Sequence, residues 1–370
     1  MAILRKTGID VPLVAVTLAL VFTGLVMVYS SSSIMADHRF GNQYHFLQRQ
    51  AVAAVAGLIA LGVMSRVRYR FLEKIAIPLL AVSILLLVVV LIPGIGARVG
   101  GARRWIPLPG FNVQPAEIAK LALVIFGARL LARMGDRVRD FTTGFLPLTL
   151  VGLLLVGLLL LQPDFGSAVT ILALVAVLLF VAGTRLAYLG TGALLAVPGI
   201  VGLAVASPYR LSRLLSFLDP WSARSGTGYQ IVQSFLAFGS GGLTGVGLGD
   251  GRQKLMYLPE AHTDFVFSVI GEELGLVGVA MIVALYAVLL WRGIGLAVRA
   301  EDPFGAFVAV GVTSLLALQA IINMSVVTGM LPTKGLTLPL VSYGGSSTIV
   351  CMTGIGVLLA IGAQTPAPRR

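Results

Sequence analysis

The chain has little charge. Only 11% of its 370 residues are Asp, Glu, Lys or Arg, 57% are hydrophobic, and the mean hydropathy is +0.97. Soluble domains carry roughly 25% charged residues, so a freely soluble globular protein is excluded. Cysteine is almost absent: Cys351 stands alone in an apolar segment and can form no intrachain disulfide. Histidine is scarce too. His38 and His45 fall in one loop and His262 far from both, so no Cys/His ligand spacing for zinc is present. Long polar segments are few, which leaves residues 1–370 as a single integral membrane domain. No internal repeat is legible, which counts against a transporter built from inverted halves. Strands are not expected, and no glycine-rich nucleotide motif follows one. The run Gly239-Ser-Gly-Gly-Leu-Thr-Gly-Val-Gly-Leu-Gly249 falls in a loop outside the membrane and reads as close-packed or mobile backbone.

What the chain does have is apolar runs of membrane-spanning length. They predict an all-α polytopic protein of about ten transmembrane helices, at about 11–32, 46–64, 75–95, 116–133, 146–162, 167–183, 188–207, 265–290, 304–327 and 347–363. The first run follows Arg5 and Lys6, is long for a signal peptide and lacks a clean cleavage site, so it is read as an uncleaved span. An even number of spans puts both termini on one side. Arg5, Lys6, Arg66, Arg68, Arg70, Lys74, Arg133, Arg137, Arg139, Arg185, Arg292, Arg299, Arg369 and Arg370 all fall on that side, which the positive-inside rule makes cytoplasmic. The net charge of +12 is therefore topology signal and attraction to anionic membrane lipids, not a mark of nucleic-acid binding. Three large outer loops follow, at about 96–115, 208–264 and 328–346. Their Gly and Pro content suits irregular backbone lining a cavity.

Acids kept near membrane depth are functional candidates. Asp10, Glu73, Asp136, Asp140, Glu301 and Asp302 lie at the cytoplasmic edge among basic residues and read as solvated. Glu117 and Lys120 share a face near the start of the fourth span, as a structural ion pair or as a cavity-lining one. Asp164 sits at the turn between the fifth and sixth spans and reads as a turn acid. Asp264 follows Thr263, a plausible N-cap for the eighth span. At 100° per residue Gly271 and Gly275 fall within about 20° of its face, so it points into the bundle. A helix N-terminal acid favoured by the macrodipole is the plainer reading. Glu272 lies about 80° away and Glu273 opposite, so the three acids are not one cluster. Basic residues in the outer loops, among them Arg98, Arg103, Arg104, Arg210, Arg213, Arg224, Arg252, Lys254 and Lys334, run against the topological trend. They suit phosphate groups, or contact lipid headgroups.

Leu258-Pro-Glu-Ala-His-Thr-Asp-Phe265 followed by Gly271-Glu-Glu-Leu-Gly275 resembles the signature of the SEDS family (shape, elongation, division and sporulation). The rest of the chain agrees in order: Val28-Tyr-Ser-Ser-Ser32, Arg103-Arg-Trp-Ile106, Gln114-Pro-Ala-Glu-Ile-Ala-Lys120, Gln162-Pro-Asp-Phe-Gly-Ser167, Phe217-Leu-Asp-Pro-Trp221, Leu331-Pro-Thr-Lys-Gly-Leu-Thr-Leu-Pro339 and Ser342-Tyr-Gly-Gly-Ser-Ser347. The wording Glu260-Ala261-His262 and Pro332-Thr333-Lys334-Gly335 is similar to the division-type branch rather than to the elongation or sporulation members. Gly249-Asp250-Gly251 departs from the pattern, which bears on loop detail and not on the reaction.

The resemblance implies ten helices and peptidoglycan glycosyltransferase activity on lipid II at the outer face of the bacterial cytoplasmic membrane, at the division septum. Partners implied are a class B penicillin-binding protein that cross-links the product, and division-complex proteins such as FtsQLB. By family position Asp264 is the essential aspartate. Arg49, Glu117, Lys120, Asp164 and Lys334 map to polar positions in or near a central cavity, and Arg104, Arg213, Lys254, His262 and Ser346 complete the candidate substrate-binding set. Joining the anomeric carbon of an undecaprenyl-pyrophosphate-linked glycan to the sugar hydroxyl of lipid II inverts the centre, so one carboxylate can serve as base. Arg and Lys groups, or a divalent cation (Mg²⁺ or Mn²⁺), can meet the charge of the departing pyrophosphate. No organic cofactor is expected. The rival readings are a lipid II flippase that uses the Glu117–Lys120 region as a polar cavity, and an inert scaffold for the transpeptidase.

Overall fold

The computed structural model describes residues 10–99, 101–108, 111–205, 208–224, 226–333 and 335–365. Among them the chain forms thirteen α-helices and one small sheet. Each expected span coincides with helix: α1 Val11–Phe40, α2 His45–Met64, α3 Arg70–Val89, α4 Pro115–Met134, α5 Leu146–Leu161, α6 Phe165–Val181, α7 Leu186–Val205, α10 Val266–Glu273 with α11 Gly275–Arg299, α12 Pro303–Val327 and α13 Gly345–Gln364. The outer loop between α7 and α10 adds α8 Pro208–Leu218 and α9 Tyr229–Gly241. Seven helices (α1, α2, α3, α5 with its leading turn, α11, α12 and α13) are long and apolar enough to cross a membrane, and α6 and the first part of α7 are shorter apolar helices. The protein is a membrane protein.

Burial separates the inner helices from the outer ones. In the apolar stretch of α13 72% of residues are buried, and in that of α12 61%, against 22% in α2. Helix α4 carries Glu117, Lys120, Arg129 and Arg133, yet most of it is buried because α3, α6 and α12 pack around it. Its charges are tolerable only because none faces lipid.

Helix α1 runs further than expected. Asp10 caps it by accepting the Leu13 amide at 3.1 Å, and the left-handed Gly41 (φ 65°) ends it. Thirty residues span about 45 Å, well beyond a hydrocarbon core of about 30 Å. His38, Arg39 and Phe40 therefore stand on a projecting helix end and not in a loop. Asp10 is also not solvated: it is buried and bridges to Arg292 and Arg299. At the same end of the bundle Arg70 pairs with Asp302 at 3.0 Å and Arg133 with Glu73 at 2.8 Å.

Two features depart from a purely helical reading. The outer loop expected at 96–115 holds an antiparallel meander, β1 Ala97–Val99, β2 Ala102–Leu108 and β3 Phe111–Val113, with Ala97 opposite Trp105 and Ile106 opposite Val113. The alternating run after Gly101 (φ 82°) turns back on its neighbours there. The second departure is in the eighth span, which breaks between α10 and α11. In a continuous helix the amides of Leu276 and Val277 would bond to the carbonyls of Glu272 and Glu273. Instead they donate to Gly242 O and Leu243 O at 3.0 and 3.1 Å, while Val246 and Gly247 donate to Glu272 O and Glu273 O at 3.0 and 3.1 Å. The glycine run thus exchanges backbone bonds with the helix. A methyl on Gly275 (φ 64°) would stand 2.3 Å from Gly245 N, so this loop is close-packed and only glycine permits the approach.

Candidate active site

The turn from Leu258 to Phe265 carries Asp264 to the mouth of the bundle. Glu260 adopts a left-handed conformation (φ 58°), and its carbonyl accepts the amides of Thr263 and Phe265 at 3.1 and 3.3 Å. That tight turn draws the Thr263 hydroxyl back onto Glu260 O and Oε2 at 3.1 and 2.9 Å. Thr263 therefore does not cap α10; Phe265 occupies the cap position, with no side-chain bond.

The Asp264 side chain is half-buried and lies against bare backbone: a methyl on Gly335 would stand 2.9 Å from Oδ2. Burial pushes its carboxyl up to about 7, and Glu260 and then Asp164 add to this, against the opposing charges of Arg104 and Arg213. A raised value was not legible in the sequence, because it depends on which charges the fold brings near.

Four separate segments meet around this carboxylate. Arg104 on β2 donates through Nε to Gln162 O at 3.3 Å and through a second guanidinium nitrogen to Pro163 O. It thereby fastens the meander to the α5–α6 turn. Asp164 at that turn is more than a turn acid: it is 2% exposed and caps α6, accepting Ser167 N at 3.2 Å and Ser167 Oγ at 2.9 Å, with Gln114 Nε2 at 3.5 Å. Arg213 on α8 donates to Thr333 O at 3.4 Å. Arg104, Asp164, Arg213 and Asp264, remote in sequence, thus share one electrostatic site.

The other candidates lie further off. The His262 ring packs between Phe46 (4.6 Å between centroids) and Tyr343 (5.5 Å), where burial lowers its pKa and keeps it neutral at pH 7. Its carbonyl accepts the Tyr343 amide at 2.9 Å. Arg49 is exposed and bonds the Tyr343 side chain, so it acts on this aromatic cluster. Ser346 accepts Gln114 N at 3.0 Å and donates to Asn112 O at 2.7 Å, clamping β3 and α4 to the start of α13. Lys254 stands beside Gly249 and acts electrostatically on Glu273. Lys334 lies outside the described residues.

Glu117 and Lys120 pair at 2.7 Å, Lys120 has no exposed surface, and Gln319 Nε2 reaches Glu117 Oε2 at 3.3 Å. The cavity-lining reading of this pair is corrected: with no surface left to Lys120, it is a neutralised core contact, and the polar cavity a flippase would need is not built from it. Glu272 and Glu273 stand apart from Asp264, as expected. Glu272 accepts the amides of Arg252 and Gln253 at 2.8 and 3.2 Å, and Glu273 takes the Ser30 hydroxyl at 2.6 and 2.7 Å. Two well-formed cavities lie away from Asp264. One of about 260 Å³ is lined by Arg70, Glu73, Arg133 and Asp302, and one of about 410 Å³ by Ser240, Asp250, Arg252 and Glu272.

Sequence reasoning passed over Gly335, Glu260 and Asn323. Asn323 is buried in α12 and donates to Asp264 O at 2.8 Å and to Leu336 O at 2.6 Å. A lone amide near the end of an apolar span was the available signal.

Comparison with known proteins places these features. The FtsW/RodA/SpoVE family profile, described as cell cycle protein, matches residues 11–366. The chain is 49% identical over 359 residues to the probable peptidoglycan glycosyltransferase FtsW of Trichlorobacter lovleyi, covering 97% of this chain and 94% of that one. It is 43% identical over 357 residues to the stage V sporulation protein E of Bacillus subtilis, covering 96% and 98%. Among solved structures it is similar to a chain of a peptidoglycan synthase complex studied for its coordination of polymerization and crosslinking, with a TM-score of 0.80, 35% identity and coverage of 96% and 97%.

Proposed function

This chain belongs to the FtsW/RodA/SpoVE family of cell cycle proteins and is a peptidoglycan glycosyltransferase, and on that premise we propose that it polymerises lipid II with Asp264 as the base. The observation that carries the assignment is the half-buried Asp264 carboxyl, raised to about 7 and flanked by Arg104 and Arg213. A base with a pKa near the working pH combines a large deprotonated fraction with a strong pull on the proton.

The acceptor is the 4-hydroxyl of the N-acetylglucosamine of lipid II. Its proton passes to Asp264 as the oxygen bonds to the anomeric carbon of the glycan chain end. The bond from that carbon to the undecaprenyl pyrophosphate breaks with inversion, and the electron pair leaves with the pyrophosphate. Arg104 and Arg213 face the developing charge as fork-shaped donors. Among the described residues no group of three or more His, Cys, Asp or Glu could hold a metal ion, and the Asp164 oxygens are already engaged by Ser167 and Gln114. No step is therefore routed through Mg²⁺ or Mn²⁺; such an ion would have to arrive on the pyrophosphate itself.

The relatives named FtsW are more alike to this chain than the sporulation protein, at 49% against 43% identity, which favours the division role. On our reading the active face is extracytoplasmic, the protein works at the septum with FtsQLB, and a class B penicillin-binding protein cross-links the new strands. The likeness to a chain of a synthase complex supports that last pairing. Purified Asp264→Asn protein, given labelled lipid II, should lose about 10²–10⁴-fold in polymerisation. Near-normal glycan from a folded Asp264→Asn protein would overturn the assignment.

A further inference from the structure

Asn323 occupies the last turns of α12 and is 2% exposed. Both hydrogens of its amide are used across the gap between two outer segments, one on Asp264 O at 2.8 Å and one on Leu336 O at 2.6 Å. We infer that Asn323 is a positioning residue for the reaction, stapling the Asp264 turn to the loop after Gly335 so that the carboxylate is held against bare backbone. This inference rests on the reading of Asp264 as the base.

The amide can face only one way. Two carbonyl acceptors require the NH₂ group; turned over, Oδ1 would confront two carbonyl oxygens. The cost of this orientation is visible, because Oδ1 is buried without a hydrogen-bond partner. Filling the space alone would favour an apolar side chain here, since a buried unpaired acceptor is unfavourable. On the far side of the carboxylate Gly335 has no side chain, and a methyl there would stand 2.9 Å from Oδ2. A second tie joins the same two segments, from Tyr343 N to His262 O at 2.9 Å. The two ties bracket Asp264, so removing the amide frees one side of the turn while the other stays fastened. Displacements of about 1 Å at a reacting group cost about 10²-fold in rate.

The test compares purified full-length Asn323→Leu and Gly335→Ala with the parent protein, and uses Asp264→Asn as the labelling blank. One readout is kcat and KM for lipid II polymerisation. The other is the pH midpoint of Asp264 modification by dicyclohexylcarbodiimide, which reacts with protonated buried carboxyls and is read by peptide mass spectrometry without any turnover. Asn323→Leu should lose about 10²-fold in kcat with KM unchanged within about threefold. Its labelling midpoint should fall at least one pH unit as water reaches the loosened turn. Gly335→Ala displaces the carboxylate from the opposite side without touching the amide and should show the same loss in kcat, so it carries the test should Asn323→Leu fail to fold. Parental kcat in either variant, or a lower kcat in Asn323→Leu with an unmoved midpoint, would overturn the inference. Activity in Asp264→Asn would instead refute the base assignment, and the midpoint shift in Asn323→Leu would still report whether the amide positions the carboxyl.

Discussion

Replacing Asp264 with asparagine should silence the enzyme and, above neutral pH, stabilise it. In the folded protein the carboxyl is carried from an ordinary 3.8 to about 7. Each unit corresponds to 1.36 kcal/mol, so the ionised side chain costs the fold at most about 4 kcal/mol, and about 2–4 kcal/mol once partial access to water is allowed for. The sign follows from proton counting. Between pH 3.8 and about 7 the folded protein retains a proton that the unfolded chain has released, so stability falls as pH rises through that window. The penalty is complete above 7 and absent below 3.8. Asparagine never ionises and escapes it. Melting of the two purified proteins in detergent, followed across pH 4.5–8.5, should give nearly matching Tm values at the acid end. At the alkaline end Asp264→Asn should melt higher by roughly 4–10 °C. Curves that stay parallel across the whole range would show that Asp264 titrates as an ordinary aspartate, and the reasoning from its burial would be wrong.

Three further outcomes test the neighbouring contacts. Arg104→Ala removes a charge that opposes the raised pKa of Asp264, so the acid limb of the kcat/KM profile should move above 7 and KM for lipid II should rise about tenfold or more. Arg104→Lys should restore the limb but not the KM, as judged from polymerisation rates between pH 6 and 9. Glu272→Ala strands the amides of Arg252 and Gln253 and should lower stability by about 2–4 kcal/mol, read as a drop in Tm. Lys120→Met leaves Glu117 buried without its partner and should cost about 3–5 kcal/mol, most of which the added change Glu117→Gln should recover in a double-mutant cycle.

Long apolar runs and the placement of arginines were sufficient to locate the spans, because a membrane demands about twenty apolar residues per crossing and backbone bonds satisfied within the segment. The same local logic placed Asp264 at the outer end of a span and kept Glu272 and Glu273 apart from it. Where it failed, partners distant in the chain had intervened. Helix α10 stops at Leu274 because the glycine loop supplies competing backbone donors and acceptors. Thr263 caps nothing because the turn at Glu260 captures its hydroxyl. Asp10, read as solvated, is buried by two arginines from α11.

The sequence by itself determined a helical membrane protein, its family and the aspartate on which its chemistry centres, since these follow from composition, periodicity and motif order. Only the tertiary structure decided which charges surround that aspartate. Arg104, Asp164, Arg213 and Asn323 reach it from four different segments. A pKa is the sum of burial and of charges near in space, and spacing along the chain carries neither.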